Sequence, residues 1–163
     1  MTNKPHKIAL LAAAGSLLLL SGAWIFQALG YAPFAMCIWQ RYPHGFAILL
    51  GSIVLFGLRY TVIYVLGAAA AATTAGLGIY HTGVERDWWE GPSTCTGSGS
   101  DMFNMTAEQL LSTTEPVNLV LCDEVVWEFL TLSMASWNAI FSLLITVLWI
   151  IAATLANRSR ASV

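Results

Sequence analysis

Four stretches free of Asp, Glu, Lys and Arg divide the chain: residues 8–40, Tyr42–Leu58, Tyr60–Val84 and Phe129–Asn157, of 33, 17, 25 and 29 residues. A membrane-crossing helix needs about 20 mostly apolar residues, with roughly 17–25 tolerated. The pattern predicts an all-α integral membrane protein: a four-transmembrane-helix bundle, one membrane domain over residues 1–163, with spans at about 8–29, 43–58, 61–82 and 132–156. Outer loops are expected at 30–42 and 83–131, the second containing a short interfacial helix. A cleaved signal peptide would have a shorter apolar centre and a small-residue cleavage site. Ile8–Leu29 is too long for that, and Trp24, Ile25 and Phe26 stand where cleavage would fall, so a retained helix is expected.

Within the first run, Trp24, Phe26 and Tyr31 form an aromatic belt of the kind found at membrane interfaces, and Gly30 and Pro33 break the helix. The second helix is expected to start at Pro43, within the 17-residue charge-free run Tyr42–Leu58, which would span roughly 26 Å as a helix. Arg59–Tyr60 marks a tight turn that makes the second and third helices antiparallel. The third carries GAAAAATTAG (Gly67–Gly76), a surface of small residues that lets helices approach closely where apolar burial against lipid gives no preference for protein contact. In the long loop, an aromatic pair (Trp88, Trp89) precedes a Gly/Ser stretch around Cys95. Then MFNMTAEQLL places Thr106 and Gln109 at capping-box spacing, and the apolar side of that short helix would lie at the membrane interface. Pro116 ends it. The run CDEVVWEFLTLSMASWNAI is expected to open the fourth helix, with Cys122 at or just before its start, where peptide dipoles favour a thiolate.

Composition agrees with the membrane assignment: 57% of residues are hydrophobic and 10% charged, against roughly 25% charged in soluble domains. Charge also gives orientation. All nine acidic residues lie from Glu85 to Glu128, whereas five of the seven basic residues lie in the amino-terminal tail, the turn at Arg59 and the carboxy-terminal tail. By the positive-inside rule those three segments are cytoplasmic and both cysteine-bearing loops face outward. Cys37, Cys95 and Cys122 then share an oxidising compartment if the envelope is bacterial, where an odd cysteine calls for a reason. Three scattered cysteines and no paired histidine spacing argue against a zinc site.

The residues Pro33-Phe34-Ala35-Met36-Cys37-Ile38-Trp39-Gln40-Arg41, TCTG around Cys95, CDEVVWEFLTLSMASWNA from Cys122 and GIYHTGVE at the end of the third apolar run resemble the DsbB family over nearly the whole chain. These are bacterial inner-membrane enzymes that reoxidise the periplasmic disulfide donor DsbA and pass the electrons to a quinone. The resemblance implies that Cys95 and Cys122 form the disulfide that exchanges with a DsbA-like partner. It implies that Cys37 lies next to the quinone, with ubiquinone expected, and that Arg41 stabilises its thiolate and the quinone oxygens. Leu77, His81 and Met134 fall where the family packs the quinone ring. A cation one helical turn from a thiol favours the thiolate. No nucleic-acid partner is expected.

Phe34 departs from the family pattern, which has a second cysteine there at C-x-x-C spacing. The substitution is an engineered block, a natural loss, or the mark of a shortened three-cysteine relay. Two other readings stand beside the oxidoreductase. One is a non-catalytic quinone-binding or partner-trapping protein on the same scaffold. The other is a structural protein whose Cys95–Cys122 bond is a staple, worth about 3 kcal/mol by loop entropy. Arg41 alone would read as a snorkelling anchor, and His81 alone as an interface residue.

Overall fold

The chain's own turn chemistry cuts the apolar runs into helices. In the computed structural model, which describes residues 4–31, 33, 35–92, 125 and 127–161, α1 runs Lys4–Ala28, α2 Ala35–Leu55 and α3 Thr61–Glu85. Each ends in the same way. Gly30 (φ 99°) follows α1, with its N–H on Gln27 O (3.1 Å) and the Tyr31 N–H on Phe26 O (3.2 Å). Gly57 (φ 101°) repeats this after α2, and Asp87 (φ 55°) after α3, where the Trp88 N–H reaches Gly83 O at 2.9 Å. These are Schellman closures, in which a left-handed residue turns the chain so that orphan carbonyls are satisfied. Glycine adopts that conformation without strain, and Asp is among the few side chains that tolerate it.

Helix α2 starts eight residues earlier than Pro43, which lies inside it. Ala35 to Tyr42 contains good helix formers, and the loss of one N–H at Pro43 costs a single ladder bond that bundle packing tolerates. Cys37 and Arg41 are therefore helical residues, not loop residues.

The start of the fourth long helix also differs from expectation. Glu128–Phe129 (β1) pairs antiparallel with Leu132–Ser133 (β2) through a turn at Leu130 and Thr131, both with positive φ. Only then does α4 begin, Met134–Ala161. Ser133 caps it, its Oγ accepting the Ser136 N–H at 3.2 Å. The long helix thus starts well after Cys122, because residues 128–133 form the hairpin, and the expected helix-start setting for that thiol is not formed by α4. Cys95, Cys122, Phe34 and the expected helix carrying Thr106 and Gln109 lie outside the described residues.

The four helices form an antiparallel ring in which each packs against its two chain neighbours and α4 closes on α1. Three of them, α1, α3 and α4, are long and apolar enough to cross a membrane by length and composition. α2 is interrupted in its first half by Gln40, Arg41 and His44. Small residues point inward and large ones outward: Ala9, Ala12 and Ser16 of α1 are buried, while Leu18 is 73% exposed. That arrangement suits lipid around the bundle and close backbone approach within it. The expected contact through small residues occurs at Gly67, where a Cβ would stand 2.5 Å from the Trp149 indole. Trp149 centres the close-packed half of the bundle, with Ala71, Ala152, Leu50, Val54 and Tyr64. The other half, toward Cys37, is built differently.

Candidate functional site

At the Cys37 end the carboxy-terminal ends of α1 and α3 meet the amino-terminal ends of α2 and α4, and Phe129 of the hairpin joins them. They enclose a cavity of about 450 Å³. Its walls are largely apolar, from α1 (Leu18, Leu19, Phe26) and from α4 with the segment before it (Trp127, Phe129, Met134, Trp137, Phe141). Six aromatic rings follow one another along its edge: Tyr31, Phe26, Trp127, Phe129, Trp137 and Phe141, with centroid separations of 5.2–6.4 Å. The polar atoms enter from α2 and its neighbours: Cys37, Gln40, Arg41 and His44, with His81 and Glu85 from α3 and Asn138 from α4.

Helical spacing explains this grouping. Cys37, Gln40, Arg41 and His44 recur every three or four residues, so they share one face of α2. His81 is 1% exposed. Its Nδ1 lies 4.0 Å from Cys37 Sγ and 3.1 Å from Gln40 Nε2, and its Nε2 is 3.8 Å from a Glu85 carboxylate oxygen. The other Glu85 oxygen accepts a short hydrogen bond from Ser133, the residue that caps α4.

Arg41 bridges to α1. It donates to Gln27 Oε1 at 2.6 Å and to the Ala23 carbonyl at 3.5 Å, and its guanidinium lies 5.6 Å from the centre of the Trp24 ring. Among the described residues it pairs with no carboxylate, and its buried Nε has no acceptor. A guanidinium with a donor still to satisfy, on the wall of an apolar cavity, suits a flat ligand bearing carbonyl oxygens.

The sequence-predicted residues divide. Cys37, Arg41, His81 and Met134 all line the cavity. Leu77 does not; it is half-buried elsewhere on α3. Cys95 and Cys122 lie outside the described residues. Sequence reasoning missed Gln27, His44, Glu85 and Asn138. The signal for two of them was present: His44 stands one turn after Gln40, and Asn138 one turn after Met134. Glu85 and Gln27 are ordinary polar residues at helix ends, and only the fold brings them to the site.

The comparisons with known proteins bear on this arrangement. The family described as Disulfide bond formation protein DsbB matches residues 5–152. The chain is similar to disulfide bond formation protein B of Acidovorax sp. (strain JS42), with 29% identity over 157 residues, 90% of this chain and 86% of the relative. No solved structure matches it significantly. A match of the family over this much of the chain is decisive for membership: the chain belongs to the DsbB family.

Proposed function

We propose that the protein reoxidises a periplasmic thioredoxin-like donor of DsbA type and delivers the electrons to membrane quinone, ubiquinone being the expected acceptor. The observation that carries this reading is the convergence of Cys37, His81 and Arg41 on one apolar cavity at one end of a membrane bundle. Cys37, Arg41, His81 and Met134 would hold the quinone. When bound, it supplies a two-electron, two-proton acceptor. Arg41 orients it through donors fixed by Gln27 and Ala23, and the aromatic walls keep water from the sulfur. Leu77 would act behind the cavity lining. Cys95 and Cys122 form the disulfide that exchanges with the donor: a donor thiolate attacks it, and the second donor thiol resolves the mixed disulfide.

In this reading α2 is the fourth span, the whole chain is one membrane domain of the bacterial inner membrane, both termini are cytoplasmic, and the cavity opens on the periplasmic side. Phe34 impairs turnover, because the first of the two relay cysteines is absent and electrons from the Cys95–Cys122 pair meet a single thiol, Cys37. The same residue favours a second reading, a quinone-binding or partner-trapping protein that does not turn over.

The deciding experiment follows quinone reduction under a reduced DsbA-like donor, for the present sequence and for Phe34→Cys. A large gain in Phe34→Cys supports an oxidase impaired at this position. Equal, substantial rates would show that a second thiol in this segment is dispensable. Quinone retained on purification with no reduction by either protein would favour the second reading.

A further inference from the structure

Below Cys37 the cavity floor is a hydrogen-bonded chain through three helices whose direction can be worked out atom by atom. Gln40 Nε2 lies 3.1 Å from the Met36 carbonyl, which can only accept, so the Gln40 amide nitrogen must be there. The Gln40 Oε1 then receives Asn138 Nδ2 at 2.6 Å. Reversing either amide would set two acceptors against each other. Asn138 uses its remaining capacity fully. Its Nδ2 also reaches Thr74 Oγ1 at 3.4 Å, and its Oδ1 accepts from His44 Nε2 at 3.0 Å and from Ser142 at 3.5 Å. Thr74 passes its own hydrogen to the Gln40 carbonyl at 3.2 Å. His44 and Gln40 are 3% and 5% exposed, so little water competes for these bonds.

The chain ends on His81. Gln40 has one amide hydrogen left, and it points at His81 Nδ1, 3.1 Å away. A nitrogen that accepts this bond carries no proton, so the ring hydrogen is on Nε2, toward Glu85. Cys37 Sγ approaches the same Nδ1 at 4.0 Å. A thiol beside an imidazole ordinarily gains a base, and here the lone pair that would serve is already in use.

We infer that Gln40, held in place by Asn138 and His44, fixes His81 as its Nε2–H tautomer and withholds Nδ1 from the Cys37 thiol. Gln40, Asn138 and His44 are positioning residues, acting on Cys37 through His81. If Gln40 swings away, the thiol proton can pass from Sγ to Nδ1, leaving a thiolate beside an imidazolium; no electron moves in that step. From the proposed function this takes only the reactivity of Cys37; the tautomer stands without it.

The test uses the full chain in detergent micelles with no quinone added. Two-bond ¹H–¹⁵N spectra of histidine-labelled protein, assigned against His81→Leu, should show His81 neutral and protonated at Nε2. A proton on Nδ1, or an imidazolium at neutral pH, overturns the inference. Alkylation of Cys37 by N-ethylmaleimide, followed on its peptide by mass spectrometry after reduction, should be on the order of tenfold faster in Gln40→Met, a modest part of what a positioned base supplies. Cys95 in the same samples is the reference for general accessibility. The gain should disappear in Gln40→Met/His81→Leu; if it persists, the variant merely opened the cavity and the inference fails. Should the tautomer and the alkylation pattern hold in a protein that never reduces quinone, the inference stands and the redox reading falls.

Discussion

Arg41 is the residue whose surroundings make the sharpest demand. Its amine groups are tied to Gln27 and Ala23 while Nε has no acceptor. Replacing it with Gln should weaken quinone binding roughly ten- to a hundredfold, the scale of one hydrogen bond to a charged group. Lys should fall between, keeping the charge without the planar fork. Titration of quinone into purified protein, read by absorbance or calorimetry, checks both; unchanged binding would reduce Arg41 to an anchor on α1. Asn138 makes a different demand. Asn138→Leu leaves Gln40 Oε1 without its partner and His44 Nε2 with Thr74 Oγ1 at 3.2 Å in a buried layer, and should cost about 1–3 kcal/mol, seen as a lower unfolding midpoint in detergent. Cys37, Arg41, His81 and Met134 could be named from the sequence because they sit in motif positions. Asn138 offered only its spacing, one turn after Met134; its role takes on meaning once α2 and α3 supply the groups it satisfies.

Helices were the most readable level of this molecule, and their starts the least. Gly30 and the Arg59–Tyr60 turn mark boundaries that the structure keeps close to the expected places. The start of α2 was misplaced because a proline reads as a helix beginning, and only tertiary packing makes it tolerable within the helix. The hairpin before α4 was not legible at all: two residues per strand give no alternation to detect, and its turn uses Leu130 and Thr131 where glycine or asparagine would announce one. The small-residue stretch of α3 yields a paired expectation. Gly67→Ala would push a methyl group into the Trp149 ring and should destabilise by about 1–3 kcal/mol. Gly76→Ala, with nothing within 4 Å of the added carbon, should be neutral or gain up to about 1 kcal/mol from helix propensity. Thermal unfolding of the two variants side by side checks the pair, and equal losses would mean that Gly67 is not a packing position.

The molecule as a whole has two unlike halves, a close-packed one around Trp149 and a hollow one around Cys37. The orientation expected from charge puts the hollow half outward. In intact spheroplasts, after reduction, Cys95 should then react with a membrane-impermeant thiol reagent; labelling only after permeabilisation would invert the topology. The polar layer of His44 and Asn138 marks the depth at which the hollow half stops. From Cys37 to His44 is seven residues along α2, about 10 Å at 1.5 Å each, or about a third of a hydrocarbon core roughly 30 Å thick. A charge carried the full depth of the cavity would cross only that fraction of the transmembrane voltage, worth about 0.8 kcal/mol at 100 mV where a complete crossing is worth about 2.3. In the proposed reading, donor and acceptor chemistry would therefore meet on one side of the insulating layer. Quinone reduction in proteoliposomes should proceed at nearly the same rate whether the membrane potential is clamped at zero with valinomycin and potassium or held at 100 mV. The cell would then draw on this protein for oxidising power without the reaction itself charging or discharging the membrane.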